Sequence, residues 1–183
     1  HNIGNVYNNL GDYEQALEYH QQALIVRREA SDYVGEGNTL HNIGFIYKNW
    51  GNYEQALEYY QQSLLVRREV SDHVGEGSTL HNIGVVYFDL DDYEQALEYY
   101  QQALTIRREA SDRTGEGNTL NNIGFIYENL GNYEQALEYY QQSLPVRREV
   151  SDQIGEGTTL QNIGNVYEDL DDYEQALEYY QQA

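Results

Sequence analysis

Residues 41–63 read HNIGFIYKNWGNYEQALEYYQQS, and residues 81–103 say it again as HNIGVVYFDLDDYEQALEYYQQA. Aligning the chain on NIG places further copies at His1, Asn121 and Gln161, so the period is forty residues with no insertion. The 183 residues then divide into repeats 1–40, 41–80, 81–120, 121–160 and a partial 161–183, and the whole is expected to act as one repeat array. Within a repeat, Leu40, Ile43, Tyr47 and Trp50 recur at steps of three and four, which places them on one face of a helix. Gly51 and Asn52 interrupt that pattern. Tyr53, Ala56, Leu57, Tyr60, Ser63 and Leu64 then form the apolar stripe of a second helix, so each repeat is predicted to be a helical hairpin.

The punctuation agrees. Asp12, Asn52, Asp92, Asn132 and Asp172 each stand one residue before the second helix, where a short polar side chain accepts from the first free amides. Gln55 and its equivalents follow three residues later, as in a capping box. Gly51 suits the left-handed residue that ends the first helix, and Asp91 and Asp171 replace it at a conformational cost. The pairs Arg27-Arg28, Arg67-Arg68, Arg107-Arg108 and Arg147-Arg148 fall near the end of the second helix, where cations oppose the negative end of the dipole. Ser71-Asp72 and then Gly75-Glu76-Gly77 are read as a short passage into the next hairpin, with Asp72 its cap. Pro145 lies inside a second helix and lacks an amide donor, which predicts a kink or an early end.

These residues resemble the tetratricopeptide repeat along the whole chain. Leu40 stands in the Trp place of that pattern, followed by Ile43-Gly44, Tyr47, Ala56 and Tyr60, while Arg68 stands near the place of its Pro. Forty residues exceed the usual period of about 34, and loss of the terminating Pro lets the second helix run on. In length and motif the chain is similar to the repeats of kinesin light chains, of Leu-Gly-Asn spindle adaptors and of cyanobacterial proteins. The resemblance implies an all-α fold, a right-handed superhelical α-solenoid of stacked antiparallel helix pairs, with first helices lining a concave groove. A longer rhythm overlies it. Ala23, Ser63, Ala103, Ser143 and Ala183 alternate, as do Ala30, Val70, Ala110 and Val150, so two slightly different interfaces are expected in turn.

Composition narrows the function. A net charge of −21 repels phosphate backbones and anionic lipid, so nucleic acid and acidic membranes are poor partners. Without an apolar run of about 18 residues, the chain is expected to be soluble and cytoplasmic. Zero Cys removes thiol chemistry and Cys-based metal sites. Zero Met reads as a piece of a longer chain. Glu54 and Glu58 pair four residues apart, but on an exposed face that lacks the desolvation acid–base catalysis needs. No nucleophile, base and oxyanion donor assemble, so no enzyme and no cofactor is expected. Most of the twenty Tyr recur at core positions and read as filling.

In the resembling family the groove is lined by first-helix residues outside the core stripe. Carried over, these are His41, Asn42, Phe45, Lys48 and Asn49 in one repeat and His81, Asn82, Val85, Phe88 and Asp89 in the next. Asn121, Asn122, Phe125, Glu128 and Asn129 follow, then Gln161, Asn162, Asn165, Glu168 and Asp169. Asn2, Asn42, Asn82, Asn122 and Asn162 form a ladder whose amides can donate to and accept from a peptide backbone, or else satisfy a neighbouring helix. Phe45 and Phe125 stand where sister repeats carry Asn or Val and read as space filling. Phe88 replaces Lys or Glu and reads as the better apolar anchor. His41 and His81 sit one repeat apart, about 10 Å, too far to share a metal, and are assigned to peptide hydrogen bonding or to no site. Lys48 alone is a firm cation there, which disfavours a clamp for acidic peptide tails.

Two functions follow as expectations. One is a protein-interaction scaffold that holds a neutral or basic peptide or protein in the groove. The other is a structural array: the chain starts inside a first helix and stops inside a second, so head and tail surfaces match, and end-to-end stacking would give an open superhelical fibre.

Overall fold

The computed structural model describes residues 2–183, with side chains from Ile3 onward. His1 and the Asn2 side chain, the first rung of the ladder, lie outside the described residues. The described residues form α1 (Asn2–Asn9), α2 (Tyr13–Glu29), α3 (Tyr33–Asn49), α4 (Tyr53–Glu69), α5 (His73–Asp89), α6 (Tyr93–Glu109), α7 (Arg113–Asn129), α8 (Tyr133–Glu149), α9 (Gln153–Asp169) and α10 (Tyr173–Gln182), with no strand among them. Two 17-residue helices and two three-residue turns, 17 + 3 + 17 + 3, account for the forty-residue period.

Both turns are built alike. In the first, Gly51 adopts φ +80°, its amide reaches Lys48 O at 3.0 Å, and the Asn52 amide reaches Tyr47 O at 2.8 Å. This is the Schellman ending, with Gly at the left-handed place. Asn52 then caps α4 by accepting from the Gln55 amide. The second turn repeats the geometry with Ser71 at φ 58°, Ser71 N to Arg68 O at 3.2 Å and Asp72 N to Arg67 O at 2.9 Å. The passage between hairpins is short and Asp72 caps the next helix at the Gly75 amide, as the sequence reading expects. It ends at Asp72, and α5 begins at His73, so Gly75, Glu76 and Gly77 lie inside the helix.

The Arg pairs do more than oppose a dipole. Arg67 is 5% exposed, and its guanidinium binds Asp72 Oδ2 (2.7 Å), Ser63 Oγ (3.1 Å) and Asn38 Oδ1 (2.9 Å), joining α3, α4 and the cap of α5. Arg68 Nε donates to buried Glu76 at 2.7 Å. Gly75 makes room for that crossing, since a Cβ there would lie 1.4 Å from Arg67 Nη1. The alternation of Ser and Ala has a direct consequence. Ser143 positions Arg147 as Ser63 positions Arg67, whereas beside Ala103 the Arg107 Nε makes no hydrogen bond, lying 3.6 Å from Asp112 Oδ2, and Nη1 turns to Gly115 O and Thr119 Oγ1.

Pro145 neither shortens nor ends its helix: α8 runs unbroken to Glu149, as α4 runs to Glu69. Pro145 and Gln141 are both exposed. Both lie on the exposed side of α8, where water can reach the carbonyl that loses its donor.

Packing divides the chain into two compact bodies, one ending at Tyr99 and the other formed by Tyr100–Ala183. In the first, Ala16, Leu17, Leu24, Leu40, Ile43 and Ile46 share one core; in the second, Ala136, Tyr140, Leu144, Leu160, Ile163 and Val166 do. Consecutive helices pack as antiparallel pairs from α1 to α5 in the first body and from α7 to α10 in the second, and first helices also meet across repeats, α3 on α5 and α7 on α9. The fold is an all-α solenoid.

Candidate peptide-binding face

The face begins with a notch. Tyr60 is wholly buried and lies against Gly44, where a Cβ would come within 2.8 Å of its ring; Gly124 receives Tyr140 in the same way. The ring brings the second helix through to the first-helix side. There the Tyr140 hydroxyl donates to Glu128 Oε2 at 2.5 Å, and the Tyr180 hydroxyl donates to Glu168 Oε2 at 2.8 Å and lies 2.9 Å from Asn165 Oδ1. Phe45 and Lys48 occupy the equivalent places beside Tyr60, and its buried hydroxyl has no hydrogen-bond partner. Burial raises the Tyr60 and Tyr140 hydroxyls well above the ordinary phenol range, and it raises Tyr180 to about 12, aided by the bond to Glu168. Burial also raises Glu128, with Asp169 adding to it and the Tyr140 bond opposing it.

A second layer ties first helices together. His41 Nδ1 lies 3.1 Å from Thr79 Oγ1, and His41 Nε2 lies 3.0 Å from Asn82 Nδ2. The Thr79 hydroxyl already donates to Gly75 O at 3.0 Å, so His41 is assigned as donating from Nδ1 and accepting at Nε2 from the Asn82 amide. That role requires a neutral ring. Burial, with the Arg67 charge, holds the His41 pKa down at about 4. In the other body Asn121 takes the His place, with Asn162 Nδ2 at 3.3 Å and Thr159 Oγ1 at 3.0 Å from its Oδ1. Asn122 Nδ2 lies 3.4 Å from the Tyr100 hydroxyl.

The ladder is thus also a fastener: Asn82 and Asn162 each give an amide hydrogen to the preceding repeat. Nothing in one repeat alone announces this, because the link joins places 39, 1 and 2 of successive copies. Lys48 is likewise engaged, 3.5 Å from Asp89 across α3 and α5. Exposure reorders the aromatics. Phe45 and Phe125 are each 40% exposed, whereas Phe88 is half-buried with its ring 5.6 Å from Tyr93. Asn42 and His81 are half-buried on the same helices.

The first-helix face of each body therefore presents an exposed phenyl ring beside Asn side chains. That of the second body adds Glu128, Glu168 and Asp169. Such a surface can hold an extended chain by backbone hydrogen bonds, a ring contact and attraction for cations. No cluster of three or more His, Cys, Asp or Glu suited to a metal occurs among the described residues, and no described helix is long and apolar enough to cross a membrane.

A model of the tetratricopeptide repeat matches residues 1–64, 37–109 and 115–183. Among solved structures, BtubC (BKLC) from P. vanneervenii is 19% identical with a TM-score of 0.88, over 98% of this chain and 75% of that one. A putative kinesin light chain of Podosopora anserina with nearly identical TPR-like repeats is 17% identical with a TM-score of 0.78, over 100% and 90%. The apo quorum sensor NprR of B. thuringiensis is 23% identical with a TM-score of 0.79, over 97% and 49%. At these identities the likeness is one of fold. No curated protein matches the chain.

Proposed function

The chain belongs to the tetratricopeptide repeat family, and from that premise we propose that it is a protein-interaction scaffold whose first-helix faces hold an extended neutral or basic peptide. The observation that carries this reading is the pair Phe45 and Phe125, 40% exposed at one repeat place where sister copies carry Asn or Val. A phenyl ring left in water beside backbone-binding amides is the arrangement of an anchor. Asn42, Asn82, Asn122 and Asn162 offer hydrogen-bonding capacity along the same helices, His41 and His81 lie beside them, and Phe88 extends the apolar contact. Lys48, held to Asp89, leaves the surroundings acidic, which favours a neutral or basic ligand. Residues 1–183 act as one array in this reading.

A peptide array spanning neutral, basic and acidic sequences tests it. Binding is expected for neutral and basic peptides, and Phe45→Ala or Phe125→Ala is expected to weaken it at least tenfold. Equal binding by both variants would remove the proposed face.

A second reading rests on different residues. Ile3 (54% exposed) and Val6 (56%) occupy the repeat places of Ile43 (0%) and Ile46 (1%), and Leu177 is 59% exposed where Leu17 is 7%. Either a further repeat of a longer chain or a second copy stacked end to end would cover both surfaces. Light scattering over a dilution series decides it, because a mass independent of concentration leaves only the peptide-binding reading.

A further inference from the structure

Place 10 of the repeat, the last residue before the first turn, holds Leu10, Leu90, Leu130 and Leu170, all substantially exposed, and at position 50 the single Trp of the chain. Trp50 is 47% exposed. Its indole stacks on Tyr13 of the preceding repeat at 6.0 Å and 30°, and on Tyr47 at 6.4 Å and 12°. With Leu10, Gly11, Asp12, Tyr13 and Glu14 it lines a cleft of about 420 Å³ between consecutive turns. The corresponding turn around Gly131 and Asn132 also forms a hollow, lined by Tyr133, Glu134, Gln135 and Glu138, but Leu130 adds no aromatic wall to it. The first hollow therefore differs by a large π-surface set beside two carboxylates. It lies at the turn edge, between the turns at Gly11 and Trp50.

We propose that this cleft is a separate site for an arginine side chain of a basic peptide. A guanidinium is planar and weakly hydrated, so it lies flat on an exposed indole where an ammonium keeps its water. The Asp12 and Glu14 carboxylates supply the counter-charge, and Asp12 can do so while its Oδ1 caps α2 at the Gln15 amide (3.2 Å). The net charge of −21 draws such a ligand toward the chain. An acidic or phosphate-bearing ligand meets repulsion at the same place.

Trp50, as the single indole, reports on its own cleft. The probe is an acetylated, amidated Gly/Ser peptide carrying two arginines, titrated against Trp50 emission, with the same peptide carrying citrulline as the neutral isostere. A saturable emission change with arginine and none with citrulline is expected. The double variant Asp12→Asn, Glu14→Gln should raise the half-saturation concentration at least tenfold. It keeps a capping side chain, as Asn52 does in the next repeat, so loss of fold is not the cause. Trp50→Leu, which installs the sister residue, should remove the calorimetric heat by which the arginine peptide exceeds the citrulline peptide. Equal emission responses to both peptides, unchanged affinity in the double variant, or an undiminished arginine-over-citrulline heat in Trp50→Leu would each overturn the site. So would loss of the signal in Phe45→Ala, which would move the binding to the first-helix face.

Discussion

Arg67 and Ser63 are the residues on which a joint between repeats turns. Ser63 Oγ donates to Gly37 O at 2.8 Å and accepts from Arg67 Nε, so one hydroxyl satisfies a buried carbonyl and a buried guanidinium together. Ser63→Ala leaves both groups short of a partner, and the expected loss is about 1–3 kcal/mol in chemical denaturation. Ala23→Ser, at the equivalent place in the first repeat, gives the control for adding rather than removing the hydroxyl. His41 sets a second residue-scale expectation. Its folded pKa of about 4 lies below the ordinary imidazole value of 6.5, so the neutral ring's contribution is complete above pH 6.5 and is lost as pH falls toward 4. The loss is on the order of 3 kcal/mol across that window. His41→Asn, copying Asn121, should flatten the slope of stability against pH between 4 and 6.5, and an unchanged slope would place the titration elsewhere.

At the scale of the element, the turns and helices were readable because each carries its own local chemistry. The Asn52 cap, the left-handed Gly51 and the 3.6-residue stripe of Tyr53, Ala56 and Tyr60 are all written within one repeat. The cap at Asp72 was legible, but the left-handed place at Ser71 was not, because Ser is a poor marker of it, and the nearby glycines were read only as allowing close helix contact. Their reason for being Gly is the Arg67 side chain, which arrives from another helix. The early end expected at Pro145 does not occur, because propensity speaks of the missing donor and not of the solvent that can replace it. The bond is nonetheless missing. Pro145→Thr, the residue of the sister helix at Thr105, is expected to stabilise the protein by about 1–3 kcal/mol, read from the shift of the denaturation midpoint. An unchanged midpoint would mean that water compensates fully.

Over the whole molecule, a net charge of −21 on 183 residues opposes compaction, whereas the Arg67–Asp72 and Arg68–Glu76 pairs lie partly or wholly out of water. Salt screens the exposed repulsion more than those pairs. Raising NaCl from 20 to 500 mM should therefore lift the melting midpoint, by roughly 2–4 °C for each kcal/mol of repulsion removed. A fall would show that the ion pairs dominate. The candidate site was less legible than the fold for a related reason. Asn82 could be placed on the first-helix face from its spacing, but its bond to His41 depends on how one repeat stacks on the next. Shielding of Phe88 by Tyr93, by contrast, arises within one repeat, across its first turn. The alternation of Ser and Ala beside the Arg was visible as a pattern, yet its meaning required the guanidinium geometry. That geometry bears on how such an array can grow. Because hydroxyl-bearing and methyl-bearing joints alternate, the natural module for gene duplication or deletion spans eighty residues. Copying a single forty-residue segment would set two like joints in succession and interrupt the alternation, so array lengths in descendants should change by pairs of hairpins.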